Sequence, residues 1–294
     1  MTKTNTEAEG RLVVFYQAAI QVNTPTLTLL VDVLRQARLR SGSRWRILSD
    51  QQAALIVLAV LRHDQRPADL AAAYQISHST VRRRVFEAIT GLAARAPRLD
   101  QVLHRAARRA AHSAEPMLLL DGTLIRTHRP GDKRQARRYY SGKHRCHGVL
   151  VLILSSHDGQ PLWVSAAAPG RTGESTYARR HRLPARLRAH DLAVLADKGL
   201  TRLDDQPDHT NPAHQPTVIT GKRGNRHHPL PTGWKTANQL ISETRATNEH
   251  AINRLKDWRI LTRLRGAFRH HATPLLRAIL VLTHTETAAT LHAS

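Results

Sequence analysis

The sequence predicts a mixed α/β protein in two parts: an all-helical domain within residues 1–110 and an α/β domain over residues 111–294. Two observations indicate this division. Between residues 12 and 110, apolar residues recur at helical spacing, as in "TLTLLVDVLRQARL" and "LSDQQAALIVLAVLRHD". From residue 116 onward, short apolar runs end in carboxylates or turns, as in "PMLLLDGT" and "DLAVLADKGL", a pattern typical of buried strands.

The composition points to a polyanionic partner. The chain of 294 residues carries 45 Lys and Arg against 22 Asp and Glu, for a formal net charge of +23. Such a balance favours DNA, RNA or an anionic membrane surface as the partner. A single cysteine, Cys146, excludes an internal disulfide framework and fits a reducing cytoplasm. No run of 18 apolar residues is present, so we expect no membrane-spanning helix.

Residues 67–93 have the pattern of a helix-turn-helix. "PADLAAAYQ" forms the first helix, opened by Pro67, and "STVRRRVFEAITGLA" forms the second, with Ser77 or Ser79 as its N-cap. The alternative is an ordinary helical hairpin whose three arginines are solvated. If the motif reads DNA, six residues lie at or near the groove: Ser77, His78, Thr80, Arg82, Arg83 and Arg84.

The second part has a recognisable order of elements. After the run "PMLLLD", the segment "HGVLVLILSSHDGQPLWVSAAAPG" predicts a hairpin with its turn at "HDGQ". Strands are then expected at "DLAVLAD" and "PTVIT", followed by a long helix near residues 235–259 and a final helix at "PLLRAILVLTHTETAATL". This order suits an RNase H-like sheet, although other α/β folds share it.

Two carboxylates stand at the ends of predicted strands. Asp121 ends "MLLLD" and Asp197 ends "LAVLAD", where an α/β sheet presents its functional groups. Each has a simpler interpretation as a turn former, because "DGT" and "DKG" are good turns.

A third carboxylate, Glu249, lies in a cation-rich helix. At 100° per residue, Arg245, Glu249 and Lys256 fall within about 40° of one another. An ordinary surface ion pair is the simple interpretation. The alternative is that Asp121, Asp197 and Glu249 hold two Mg²⁺ ions, while the neighbouring cations contact phosphates.

The segment "IRTHRPGDKRQARRYYSGKHR" contains eight Lys or Arg residues and one acid. It is interpreted either as a loop that tracks DNA, with Lys143 contacting phosphate and a tyrosine stacking on an unpaired base, or as a solvated basic loop.

Four of these segments together resemble a known family. "LLLDGTLIRTHRP", "YYSGKHRCHG", "LADKGL" and "TRATNEHAINRLKDWRIL" resemble the insertion-sequence DDE transposases, in the insertion-sequence-five group that shares features with Harbinger-type transposases. The resemblance covers about residues 45 to 285. It implies an RNase H-like catalytic domain that uses Mg²⁺ or Mn²⁺, and an N-terminal helix-turn-helix that reads the element's ends.

The resemblance also implies roles for individual residues. The family's two Asp and its Glu match Asp121, Asp197 and Glu249, and its flanking Arg and Lys match Arg245 and Lys256. Two positions depart from the family pattern. Ser242 stands where a Tyr is often found, and the "HD" that commonly follows "PG" is "GE" here, in "PGRTGES".

We therefore expect a bacterial DNA transposase, cytoplasmic and associated with the nucleoid. It would bind terminal inverted repeats and target DNA as a homo-oligomer, cleave the strand at the element end and transfer it, with two bound Mg²⁺ or Mn²⁺ ions. Two alternatives remain open: a non-catalytic DNA-binding regulator or decayed copy, and a nuclease on the same fold that cuts without joining.

Overall fold

The structure is a computed structural model that describes residues 5–7, 11–13, 19–43, 46–112, 117–200, 203, 217–222, 224 and 230–293. The chain divides into two compact units. One comprises residues 1–91 and 285–294, and the other comprises residues 92–284.

The first unit begins with a short two-stranded ladder. Strand β1 (Asn5–Glu7) pairs antiparallel with β2 (Arg11–Val13). The sequence predicts helix from residue 12, so residues 12 and 13 differ from that prediction, while residues 14–18 of the same apolar run lie outside the described residues. Short apolar runs fit a strand as well as a helix, and here the local hairpin pairing decides between them.

Helices make up the rest of this unit, as the sequence predicts. Helix α1 (Thr24–Arg40) packs against α2 (Asp50–His63), and Leu30, Leu34 and Ile56 are fully buried. Helix α2 begins at a capping box, in which the Ser49 hydroxyl accepts a hydrogen bond from the Gln52 amide at 3.1 Å. Such a cap satisfies amide groups that the first helical turn leaves unpaired.

The predicted helix pair follows. Helix α3 (Pro67–Ala73) has Pro67 in its first turn, and α4 (His78–Ala93) begins after Ser77, whose hydroxyl accepts a hydrogen bond from the Thr80 amide at 3.2 Å. Ser77 rather than Ser79 therefore caps α4. Apolar residues on the inner side of the pair are buried, namely Leu70, Ala71, Val81, Val85 and Ile89.

The second unit contains the mixed α/β part of the chain, which confirms the predicted class. Its strands are β3 (Leu118–Thr127), β4 (Tyr140–Ser141), β5 (Cys146–Ser156), β6 (Pro161–Val164), β7 (Ala168–Pro169), β8 (Val194–Ala196), β9 (Val218–Thr220) and β10 (Arg263–Leu264). Its helices are α5 (Leu99–Ala110), α6 (Lys133–Tyr139), α7 (Glu174–Arg180), α8 (Leu183–Arg188), α9 (Thr232–Lys256) and α10 (Ala267–His270), and α11 (Ala272–Ala293) closes the chain.

One sheet organises these elements. β3 lies between β5, to which it is antiparallel, and β8, to which it is parallel, and β9 continues the parallel edge. β6 and β7 pair antiparallel with β5 on the side away from β3. The strand order is therefore β6-β5-β3-β8-β9, and the predicted hairpin is confirmed, with its turn at Gly159 in the left-handed region at φ 73°.

Helices cover the sheet and bury its apolar residues. Leu103 of α5 and Leu187 of α8 belong to the same buried cluster as Leu120 of β3 and Leu152 of β5. The long helix α9 packs against β3, β5, β6 and β8. Among the helices that the structure describes, none combines the length and the apolar character that a membrane span requires.

The centre of the sheet yields a stability prediction. Leu152 is fully buried in β5, whereas Leu240 of α9 is 60% exposed. We expect Leu152→Ala to lower the free energy of unfolding by about 2–5 kcal/mol, because it leaves a cavity in a packed core. Leu240→Ala should change it by less than about 0.5 kcal/mol. Urea unfolding followed by circular dichroism measures both, and equal effects would contradict this core.

Candidate metal site

Two of the predicted carboxylates are neighbours because of the pairing between β3 and β8. In this parallel ladder Leu120 is paired with Ala196. Asp121 and Asp197 are the next residues on the two chains, so the register that joins the strands also places these side chains at the same level of the sheet. Asp197 directly follows β8, as predicted, whereas the prediction that Asp121 ends its strand is wrong, because β3 continues through its pairing with β5 to Thr127.

The third carboxylate at this point is Glu174, which sequence reasoning missed as a site residue. It is the first residue of α7, after Gly173 as N-cap. A neighbouring hydrogen bond fixes its position, because the Ser175 hydroxyl donates to the Gly199 carbonyl at 2.7 Å. Gly199 belongs to the 3-10 turn that follows Asp197, so this contact brings the start of α7 to the end of β8.

Asp121, Glu174 and Asp197 form a compact group. One carboxylate oxygen from each lies within 4.8 Å of the others. The Glu174 side chain is buried, and its Oε2 atom has no hydrogen-bond partner among the described residues. A buried polar atom of this kind costs free energy unless something satisfies it, so a ligand at this point would remove the cost.

Two glycines make the close approach possible. A Cβ atom at Gly122 would lie 2.8 Å from Cγ of Glu174, and one at Gly199 would lie 2.5 Å from its Oε2. Both distances are shorter than real Cβ contacts, so glycine at these positions allows the glutamate to approach Asp121 and Asp197 without being displaced.

Lys143 supplies a positive charge to the group. Its Nζ donates to Oε1 of Glu174 at 2.8 Å. This hydrogen bond raises the pKa of Lys143 above its usual value, and the negative charges of Glu174, Asp197 and Asp121 raise it further. Burial opposes the shift. Lys143 therefore remains charged and partly offsets the repulsion among three acids.

Lys256 is a second cation near these acids. Burial and the charge of Arg126 lower the pKa of Lys256, while the negative charge of Asp121 opposes that shift. This end of α9 is therefore within electrostatic reach of Asp121. Arg245 lies in the same helix, and its side chain is outside the described residues.

Glu249 occupies a different place from the three grouped acids. It lies on α9 beside Asn248, whose buried side chain accepts a hydrogen bond from Ser155 at 2.6 Å. Glu249 itself is exposed and is not part of the group formed by Asp121, Glu174 and Asp197. It shares the helix face of Lys256, about 20° away and about 10 Å along the axis. Its predicted role as a metal ligand stays a prediction.

The donor set suits a hard divalent cation. Three carboxylates converge at 4.8 Å or less, and Mg²⁺ and Mn²⁺ prefer oxygen ligands of this type. Glu174 has one oxygen paired with Lys143 and the other free of hydrogen bonds within the described part of the chain. The group can therefore hold a cation where the parallel pairing of β3 with β8 ends.

The cavity beside these acids is open to solvent. It is lined by residues from five segments of the chain, which include Lys143, Thr172, Glu174 and Asp197. The loop at residues 170–173 is held against β5, since the Gly170 amide donates to the Gly148 carbonyl at 2.9 Å. A large substrate can therefore approach the carboxylates from outside the fold.

The residues predicted to face a DNA groove divide into two groups. Ser77, His78, Arg82 and Arg83 are exposed, and Thr80 is half-buried. Arg84 is buried, and its guanidinium donates to Glu87 at 2.6 Å. Arg84 therefore has a partner inside its own helix, and burial lowers its pKa despite that partner. Whether the exposed residues contact DNA stays a prediction.

One signal in the sequence points to Glu174. It is the acid in "PGRTGES", the segment whose "GE" replaces the more common "HD". From the sequence alone, that difference is only a departure from the family pattern. Because the departure replaces one acid, Asp, by another, Glu, it indicates a role for a carboxylate at this position. An acid in the first turn of a helix also interacts favourably with the helix dipole.

Comparison with known proteins identifies one sequence family. The family described as DDE superfamily endonuclease matches residues 120–284, which is more than half of the chain. The crystal structure of the Mos1 strand transfer complex is 11% identical, with 87% of this chain and 84% of that chain covered and a TM-score of 0.19. A superposition of that quality supports no statement about fold. No curated protein matches the chain.

The glycine at position 199 provides a test of the group. In Gly199→Ala the new Cβ would meet Oε2 of Glu174, which must move away, since a terminal carboxylate moves more easily than backbone. We expect the affinity for Mn²⁺ to fall by at least about tenfold, with little loss of stability. Calorimetric titration with Mn²⁺ measures this affinity. Gly131→Ala is the control, because nothing lies within 4 Å of its added Cβ. Equal affinities in the two variants would contradict the site.

Proposed function

Because the chain belongs to the DDE superfamily endonucleases, we propose that it is a DNA transposase. It binds the terminal inverted repeats of an element, cleaves the strand at the element end and joins the freed end to target DNA. The observation that carries this proposal is the convergence of Asp121, Glu174 and Asp197 within 4.8 Å, at the point where the parallel pairing of β3 with β8 ends. The basic balance of the chain, at +23, supports a nucleic-acid substrate.

The fold of the second unit supports an RNase H-like catalytic domain. Five of the eight strands of its sheet lie in the order β6-β5-β3-β8-β9, with β6, β5 and β3 antiparallel and β8 and β9 parallel to β3. Asp197 directly follows β8, at the kind of strand end where α/β sheets present functional groups, and Asp121 lies beside it within β3.

Each residue of the site has a role in this reaction. A pair of Mg²⁺ or Mn²⁺ ions, when bound, supplies an activated water or 3′-hydroxyl and stabilises the leaving oxygen. Asp121 and Asp197 hold the metal from adjacent strands. Lys143 and Lys256 stand near the same acids, where they bind the phosphates of the scissile strand and offset charge that develops in the transition state.

The third protein ligand has two candidates. Glu174 is supported by its position beside both Asp residues and by its buried Oε2 atom without a hydrogen-bond partner among the described residues. Glu249 is supported by the family resemblance and by its helix face, shared with Lys256. We propose Glu174 as the ligand in the present arrangement of the chain. Glu249 would serve as ligand only if its carboxylate moved to Asp121 and Asp197, because it is not part of their group in this structure.

The helix pair α3–α4 is proposed to read the element ends. Arg82 and Arg83 are exposed on α4, together with Ser77 and His78 at its start. A basic second helix that begins with small polar residues suits the major groove. Two DNA ends have to be held together for transposition, so we propose a homo-oligomer on DNA, in the bacterial cytoplasm at the nucleoid.

The carboxylates yield the central prediction. We expect Asp121→Asn and Asp197→Asn to lower Mg²⁺-dependent cleavage more than about a hundredfold, while binding to the same DNA persists. The measurement is cleavage and joining of labelled DNA that carries the element's own ends. Cleavage by either variant at the normal rate would rule out this site. Absence of cleavage by the natural protein, with specific end binding intact, would indicate a regulator or a decayed copy.

The same assay separates the two candidates for the third ligand. Glu174→Gln should remove cleavage if Glu174 binds metal, and Glu249→Gln should do so if Glu249 does. Glu243→Gln is the matched control, because it removes an exposed acid from the same helix α9. Loss of cleavage in Glu249→Gln alone would assign the third ligand to Glu249.

The recognition helix yields a separate prediction. Replacing Arg82 and Arg83 by Ala should weaken binding to end DNA and lower the slope of log affinity against log salt by about 0.9 for each phosphate that is no longer neutralised. Fluorescence anisotropy over a range of salt concentrations measures it. Arg35→Ala, which removes an exposed arginine from α1, is the control. An unchanged slope in the double variant would remove α4 from the DNA interface.

A further inference from the structure

A second open cavity adjoins the carboxylate site, and no acid is among the described residues that line it. It has a volume of about 640 Å³, within the range of sites for ordinary organic ligands. Gly142 and Arg171 line both this cavity and the one that contains Glu174 and Asp197. The two cavities are therefore adjacent, and a linear polymer can extend from one into the other.

Four cations surround this cavity: Arg129, Lys133, Arg137 and Arg171. All four are exposed, and within the described residues none of them forms an ion pair. Lys133 and Arg137 are four residues apart on α6, so they lie on one face of that helix. The helix is anchored by the buried Ala136, which lines the same cavity. Four cations gathered in this way favour an external anion.

An aromatic ring stands in the same cavity. Tyr140 is 42% exposed and is paired across the β4–β5 ladder with His147. The two rings meet edge to face, with centroids 5.3 Å apart, which holds the tyrosine in place while leaving part of its surface open. The neighbouring Tyr139 is in a different situation, because the guanidinium of Arg269 lies 5.5 Å from its ring centroid.

We propose that this cavity holds an unpaired nucleotide of the DNA strand whose phosphodiester lies at the carboxylates. This inference rests on the proposed DNA-cleaving function and adds a substrate-positioning site to it. Tyr140 stacks on the base, and the surrounding arginines and Lys133 contact the adjacent phosphates. The base has to be unpaired, since the faces of a paired base are already occupied by its neighbours in the duplex.

This position has a consequence for cleavage. A nucleotide held outside the DNA duplex fixes the position of its strand beside the metal ligands. It also opens the duplex next to the phosphodiester bond that is cleaved. Gly142 lies between the two cavities, and a Cβ atom added to it would have no described atom within 4 Å. The strand therefore has open space at this point as it passes from Tyr140 to Lys143.

The test is a binding experiment without divalent metal, using the full chain. The probes are a fully paired duplex with one 2-aminopurine and the same duplex with that base unpaired. We expect the natural protein to prefer the unpaired probe, and the affinity of Tyr140→Ala for it to fall about tenfold, the scale of one stacked base. Tyr140→Phe should retain the preference, because the ring remains. Equal affinity of Tyr140→Ala and the natural protein for the unpaired probe would overturn the proposal.

The cations are tested with a pair of variants on the same helix. Arg137→Ala removes a cation that lines the cavity, and Arg134→Ala removes an exposed one outside it. We expect only Arg137→Ala to weaken binding of the unpaired probe and to lower its salt slope by about 0.7–0.9. Equal weakening by the two variants would overturn the assignment of phosphate binding to this cavity.

The experiment also distinguishes this inference from the proposed function. Asp197→Asn should retain the preference for the unpaired base, because Asp197 holds metal rather than the base. A natural protein that shows the preference but never cleaves would remove the cleavage function and leave the nucleotide site in place. A natural protein that cleaves but does not prefer the unpaired base would remove the nucleotide site and leave the cleavage function in place. Equal competition by thymidine monophosphate and by the unpaired probe would overturn the assignment of a DNA strand to this cavity.

Discussion

The parallel pairing of β3 with β8 is the constraint on which the site depends. Three paired residues on each strand, ending in Leu120 and Ala196, place Asp121 and Asp197 side by side. A shift of one residue would turn one of these side chains to the opposite face of the sheet. Such a shift would move every residue of one strand: if β8 slipped, the fully buried Val194 and Ala196 would exchange faces with Leu195.

Bringing the three acids together costs folding free energy. The surrounding residues lower this cost but do not remove it. Lys143 pairs with one oxygen of Glu174 at 2.8 Å, and its exposed position keeps it within reach of solvent or substrate. The other oxygen stays buried without a hydrogen bond from any described residue. Glycines at positions 122 and 199 allow this close approach. An arrangement that costs stability in this way is typical of a site that binds a ligand.

Residue positions that depend on the local sequence pattern can be predicted from the sequence. Positions that depend on contacts between residues far apart in the chain cannot. Asp121 and Asp197 follow short apolar runs, which locates both beside buried strands, but only Asp197 lies at a strand end, because the pairing with β5 extends β3 to Thr127. The place of Glu174 cannot be predicted, because it depends on a hydrogen bond from Ser175 to Gly199 and on space left by two glycines far apart in the chain. The prediction that Arg84 faces the groove is wrong, although the pattern allows its burial to be foreseen, since it lies beside Val81 and Val85 on the buried side of α4.

The proposed function requires one protein to bind both a cation and a polyanion, and the separation of charge within the second unit allows this. The three grouped acids are within β3, after β8 and at the start of α7, whereas the four cations of the second cavity lie on α6, at Arg129 and at Arg171. Gly142 and Lys143 stand between them. A phosphate strand that crosses this boundary is attracted along its length by the cations. It is repelled only at the carboxylates, where a bound cation reverses the sign of the interaction. Metal binding and strand binding are therefore coupled, since each neutralises the charge that opposes the other.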